Sequence, residues 1–417
     1  ATTGDLVNRG GTIQQFGQAD ASIKAGGTLD NTAGSIAVNG KNLTLAGQTI
    51  ANDGGKVLHA GTGTLSATVQ NALTNTNGGQ LQTNGTLIAQ VGSLDNTRGT
   101  VSAQGNASVT TTGDLLNRHG AIYGQTSLTL ASGGQIDNAG GSAQTSGNLS
   151  TSAAGALSNA GGILTANGAH STATVSAASL DNTGGRLTNA GDGLTSITAT
   201  GTLNNTSGAL GGNGNVAVNT QALTNTSGGQ LAAGGTLALK ASRAVNNRGG
   251  LLYGAQGLTL TQTGASLAND GGSLLGGRDV TVNVASMTNA GGAVRANANI
   301  VAQGAVSGSG EMTAGGNLSL NITGDYLNDV SNHLRADGNM QVTASGTLTN
   351  TGTLGAAGNT TVQAANVVNT ASGDITGTAT TVSATNGINN AGRIEGDAVQ
   401  TNSAGLFNTG TVIGNTV

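Results

Sequence analysis

The stretch Leu73-Thr74-Asn75-Thr76-Asn77-Gly78-Gly79-Gln80-Leu81-Gln82-Thr83-Asn84-Gly85-Thr86-Leu87-Ile88-Ala89-Gln90-Val91-Gly92-Ser93-Leu94-Asp95-Asn96 contains one full period of the chain. It opens on an apolar residue, any residue, then Asn, and closes on the same signature at Leu94 and Asn96. Between them Gly78-Gly79 and Gly85 punctuate two runs in which apolar and small polar residues alternate. Period-two alternation places one face of a strand inward, and the glycines supply the turns. Three strands of three to five residues fit such a unit; helices do not.

The signature recurs along the whole chain, at Leu6-Val7-Asn8, Leu29-Asp30-Asn31, Leu115-Leu116-Asn117, Leu223-Thr224-Asn225, Leu348-Thr349-Asn350 and Leu406-Phe407-Asn408, among others. Successive Asn positions are mostly 19 to 23 residues apart; Asn289 to Asn328 spans 39, with Gly308 standing in an Asn slot midway. Counting that slot, about 20 units of roughly 21 residues fill the chain. One unit cannot bury enough apolar surface to offset the entropy of ordering its own backbone. The units must stack, each strand pairing in parallel with its equivalents one turn away. The expected fold is all-β, a parallel β-helix (β-solenoid) over residues 1–417 as a single repeat domain, with a right hand taken as the expected one. At about 4.8 Å per rung this makes a rod roughly 95 Å long. Residues 304–316 are the most irregular rung, with Glu311 and Met312 beside Gly308.

Composition agrees with stacking. The 417 residues include 74 Gly but no Pro, Cys or Trp. A proline would delete a ladder hydrogen bond in a strand paired on both sides, and a thin coil has little room for large aromatics. The Asn row is read as structural: its amide satisfies turn backbone and bonds the same amide one rung away. Charged residues make up 8% of the chain and the net charge is -4. That balance, without interleaved aromatics, argues against a nucleic-acid surface. No apolar run is long enough for a membrane span, and four His without Cys offer little for a transition metal.

The units resemble the haemagglutinin repeats of filamentous haemagglutinin and of contact-dependent growth inhibition effectors, large exoproteins of two-partner secretion systems in Gram-negative bacteria. The resemblance rests on Gly-x-Leu-x-Asn-x-x-Gly-x-Ile/Leu, as in Gly113-Asp114-Leu115-Leu116-Asn117-Arg118-His119-Gly120-Ala121-Ile122. It implies a right-handed β-helical filament, exported unfolded through an outer-membrane two-partner secretion transporter and displayed at the cell surface. The family's Asn-Pro-containing secretion motifs and its Val-Glu-Asn-Asn boundary before a toxin are not present, so the chain is expected to be a central piece of a longer filament. The implied function is a structural shaft in adhesion or in contact-dependent toxin delivery, with a target-cell receptor or glycan as a further partner. A monomer is expected.

Some parallel β-helices cleave polysaccharides, a chemistry that needs converging carboxylates with basic groups nearby. Asp30, Asp95, Asp137 and Asp181 precede the slot Asn, but fall on rungs about 10 Å or more apart in a row read as having no basic partner. Asp325, Asp329, His333 and Arg335 form the densest titratable cluster, read as a solvated corner. No catalytic, cofactor or metal residue is assigned, and no enzyme is expected. Gly271-Gly272 and Gly276-Gly277 are turn glycines without an acidic ladder for calcium. His59, His119, His170 and His333 lie on different rungs and are expected at the surface. Arg9, Arg118 and Arg248 each follow an Asn without forming a basic stripe.

A binding flank is the alternative. Tyr123 and Tyr253 are expected to point outward, where an aromatic can stack on a sugar or a protein. The third strand presents an outward hydroxyl row read as Thr44, Ser66, Thr110, Thr129, Ser150, Thr174, Thr198, Thr259, Thr281 and Ser319. Ile88, Ala217, Ala238, Val301, Gln341 and Gln363 interrupt it.

Overall fold

The computed structural model describes residues 1–417 and consists of strands and turns, with no helix; none therefore is long and apolar enough to cross a membrane. The chain divides into two compact units, Ala1–Ala217 and Val218–Val417. Each is a β-solenoid in which every strand pairs in parallel with the strand one turn away.

In the first unit three rows of strands stack. The short-strand row aligns Leu6, Leu29, Ile50, Leu73, Leu94, Leu115, Ile136, Leu157, Leu180 and Leu203. The second row aligns Ile13, Ile36, Val57, Leu81, Val101, Ile122, Ala143, Leu164, Leu187 and Leu210. The third carries two inward columns, one of which runs Leu43, Leu65, Leu87, Ala107, Leu128, Leu149 and Ala173. Apart from frayed positions on the first rung, these side chains are buried, and like stacks on like. The core is therefore a set of aliphatic columns in which each rung covers the one before it.

The second unit repeats the plan. Its second row aligns Leu231, Leu252, Leu274, Val294, Met312, Leu334, Leu354, Ile375, Ile394 and Val412. Its third row aligns Leu237, Leu258, Val280, Ile300, Leu318, Met340, Thr360, Thr380 and Val399 without a gap.

After each slot Asn the chain turns sharply. From Asn8 to Asn289 the second residue past the slot Asn takes a left-handed conformation, for example Arg98 (φ 57), His119 (φ 52), Gly161 (φ 60) and Gly271 (φ 62); from Asn328 onward it does not. The glycine just before the following strand, as at Gly34, Gly120 and Gly162, is pressed against the preceding rung.

Candidate functional site

The most repeated polar feature is a column of asparagines inside the turn. In the first unit Asn8 donates from Nδ2 to Asn31 Oδ1 at 2.7 Å, and the relay continues through Asn52, Asn75, Asn96, Asn117, Asn138, Asn159 and Asn182 to Asn205 at 2.7–2.8 Å. Each Nδ2 also reaches main-chain carbonyls; that of Asn117 lies 3.3 Å from Gly120 O and 3.2 Å from Ser142 O. From Asn31 onward these side chains are at most 2% exposed, and their hydrogen-bonding capacity is used, as burial requires. In the second unit the column runs Asn225, Asn247, Asn269, Asn289 and, after a break, Asn328, Asn350, Asn369, Asn390, Asn408.

A second relay was not anticipated. The residue just before the third strand accepts the main-chain N–H of its equivalent one rung on. Asn317 N donates to Asn299 Oδ1 at 2.9 Å, Asn339 N to Asn317 Oδ1 at 2.8 Å, and Asn359 N to Asn339 Oδ1 at 2.9 Å. Asn42 serves Thr64 N in the same way in the first unit. The signal was present as an Asn immediately before Ile300, Leu318, Met340 and Thr360.

The carboxylates fall into two structural roles. Asp30, Asp95, Asp137 and Asp181 each accept, through Oδ1, the N–H two residues on, at 2.9–3.1 Å, an Asx turn that organises the corner. The row also has basic partners, contrary to expectation. Arg9 Nε reaches Asp30 across a rung at 3.0 Å and Arg118 pairs with Asp137; outside the row, Arg248 Nε reaches Asp270, which follows the slot Asn269, at 3.0 Å. Residues about 20 apart in sequence become lateral neighbours in a solenoid, so a scattered set of arginines finds acids one turn away.

The carboxyl of Asp30 lies below the usual carboxylate range, held there by the Thr32 side chain and main chain and by Arg9 against the opposing effect of burial. Such a group contributes stability above its unfolded value, and that contribution is lost as pH falls through the folded one. Acidification from pH 5 to pH 2 is therefore expected to weaken the protection of this corner, and Asp30→Asn to reduce that loss. Hydrogen exchange of the Asn31 and Thr32 amides in the two chains, corrected for intrinsic pH dependence, provides the check.

The cluster Asp325, Asp329, His333 and Arg335 does not converge. Asp325 accepts Thr347 N at 2.7 Å, Asp329 accepts Ser331 N and Oγ, and Arg335 Nε turns to Asp337 at 3.1 Å. His333 lies in register with Glu311 instead. The carboxyl of Glu311 is lowered chiefly by its hydrogen bond to Arg295. No group of three or more His, Asp or Glu lies close enough to hold a metal ion.

His59 is buried, not on the surface. Lys56 and Leu58 face out, so Val57 and His59 face in; its Nδ1 meets Thr83 Oγ1 at 2.8 Å and Nε2 meets Gly40 O at 2.9 Å. Its column holds small or polar residues, Val38, Thr83 and Ala103 among them, and the imidazole bridges two turns. The other three histidines, His119, His170 and His333, are exposed. Tyr123 faces outward beside Gln144 and touches Ser146 Oγ at 3.1 Å; Tyr253 faces outward beside Leu275.

The hydroxyl row also changes. Hydrogen-bond register aligns Ser22, Thr44, Ser66, Ile88, Ser108, Thr129, Ser150, Thr174 and Ser196 in the first unit. Thr110 and Thr198 belong to the next column, with Gln90 and Ser176. In the second unit Thr361, not Gln363, follows Gln341. The distance from slot Asn to third strand varies between rungs, so counting from Asn misplaces these residues by two. In the first unit eight of nine positions carry a hydroxyl, which makes that row more regular than the sequence indicated.

The family described as Haemagglutinin repeat matches at residues 1–74, 60–119, 120–172, 161–207, 193–266, 245–324 and 313–416. The tRNA nuclease CdiA-2 of Burkholderia pseudomallei (strain 1026b) is 48% identical over 65 residues, which is 15% of this chain and 2% of that protein. No solved structure matches.

Proposed function

The chain belongs to the haemagglutinin-repeat family, and from that premise we propose that it is a non-catalytic shaft of a secreted, surface-displayed exoprotein of a Gram-negative bacterium. Its parent would leave the cell through an outer-membrane two-partner secretion transporter and use the shaft to present an adhesive or toxic element at a distance. The partial likeness to a tRNA nuclease CdiA-2 favours toxin delivery as the parent's task. The observation that carries the reading is the asparagine column: the most frequent buried polar group is spent on holding one rung to the next.

The test uses the purified 417-residue chain with target cells. A passive spacer should not be retained after washing; saturable retention would replace it with the second reading. That reading, a flank that itself grips a glycan or receptor, is favoured by the hydroxyl row from Ser22 to Ser196 and by outward Tyr123. Incubation with acidic polysaccharides tests for catalysis, where any chain cleavage would defeat the assignment of the carboxylates to turns.

A further inference from the structure

The short-strand row of the second unit is interrupted once. It pairs from Val245 through Leu267 and Met287 to Val306, and again from Tyr326 through Leu348, Val367 and Ile388 to Leu406. Nothing pairs Val306 with Tyr326. At the same level the other two rows are continuous: Glu311–Ala314 pairs with His333–Ala336, and Ile300–Gly304 with Leu318–Ile322. The break is thus a slit in one wall of an otherwise closed coil.

Local chemistry shows the slit to be built into the sequence. Gly308 occupies the Asn slot with φ +88, and a Cβ there would lie 2.7 Å from Ala290 N, so the position cannot carry the missing amide without strain. Asn289 Nδ2 consequently finds only Glu311 O, at 3.3 Å. One rung on, Asn328 is fully buried and its Oδ1 has no partner; in the column every Oδ1 faces the preceding rung, here Gly308. The next turn is rebuilt as well. Asn332 stands where other turns have a glycine, accepts Gly310 N at 2.7 Å through Oδ1 and donates to Leu327 O at 3.4 Å. At the equivalent Gly34 a Cβ would fall 2.1 Å from Asn8 O; position 332 carries a side chain in a turn that follows another course, with none of residues 329–332 in the left-handed conformation of the turns up to Asn289. Between the lips lies a cleft of about 690 Å³, walled by Val306–Ser309 and Asp325–Leu327, with Leu327 54% and Val330 64% exposed.

In a solenoid each turn is held mainly by its nearest neighbours, so stability follows the individual rung interfaces. This interface lacks one of three strand pairings and the asparagine bond. We propose that the slit is where the folded second unit opens locally, which makes residues 304–333 its protease-sensitive segment while rungs on both sides stay coiled. Sub-global opening at the weakest contact, without global unfolding, is the physical basis.

Hydrogen exchange and limited proteolysis on the 417-residue chain test this. Amides of Tyr326–Asn328 should exchange at least tenfold faster than their equivalents at Leu348–Asn350. A broad-specificity protease should make its first cut away from the terminal rungs within 304–333. Because the chain has no native cysteine, Ser307→Cys with Leu327→Cys places one thiol on each lip of the cleft, where oxidation can cross-link them. The oxidised form should resist cleavage in this segment at least tenfold better than the reduced form. Equal exchange at the two sites, a first internal cut elsewhere, or equal cleavage of the oxidised and reduced forms would overturn the proposal.

Discussion

Gly162→Ala is expected to destabilise its rung by roughly 3–5 kcal/mol, at the upper end of single-residue effects, while Gly161→Ala costs only about 1–2 kcal/mol. The two glycines are adjacent and differ in kind. A Cβ on Gly162 would sit 2.2 Å from the Asn138 carbonyl oxygen, 2.8 Å from Asn159 Oδ1 and 3.0 Å from Asn138 Nδ2. The nearest obstacle is main chain of the rung below, which cannot rotate away, so the rungs must separate and weaken their pairing on this face. A Cβ on Gly161 meets nothing within 4 Å; there only the left-handed backbone, φ +60, penalises a side chain. Hydrogen exchange at Asn138–Asn159 amides reads the difference directly, since whole-chain melting of a repeat protein is not a two-state transition. Equal protection in the two variants would mean that rung spacing is not set by this glycine.

That contrast marks what the sequence could and could not convey. Period, strand parity and the structural role of the asparagines were legible because each is repeated, and repetition makes the meaning of a position independent of any single rung. His59 is harder to place from sequence: parity from Val57 turns it inward, whereas a histidine isolated on its own rung reads as a surface residue. The hydroxyl row was read two residues out at Thr110 and Thr198 because turns vary in length and pairing, not distance from Asn, sets register. Pairs such as Arg9 with Asp30 needed one more step, treating residues one period apart as lateral neighbours. The compensation of Gly308 by Asn332 was least accessible, since it depends on two departures from the repeat acting together.

Asn117 should reveal what the column contributes. Its amide donates to Asn138 Oδ1 at 2.7 Å and accepts from Asn96 Nδ2 at 2.7 Å. Asn117→Leu keeps the branched shape and the number of side-chain heavy atoms but leaves Asn138 Oδ1 buried without a donor, and Asn96 Nδ2 keeps only carbonyl partners. At about 1–3 kcal/mol for each stranded group, the expected loss is roughly 3–4 kcal/mol at any pH. Asn117→Asp should behave differently. Its ionised carboxylate would face Asn138 Oδ1, Gly120 O and Ser142 O, all acceptors, with Asn96 as its sole donor, so folding must raise its pKa. Only the protonated form can donate to Asn138. A raised folded pKa supplies stability that is complete below the unfolded value near 4 and disappears as pH rises through the folded one. The aspartate variant should therefore approach parental protection at pH 3 and fall below the leucine variant at pH 7. Exchange rates at Asn96 and Asn138, corrected for intrinsic pH dependence, decide it. A pH-independent penalty would show that the amide is not the donor binding each rung to the next. The second unit sets the scale for that loss, because at Gly308 the fold does without one such donor and keeps its coil through the other two rows of strands.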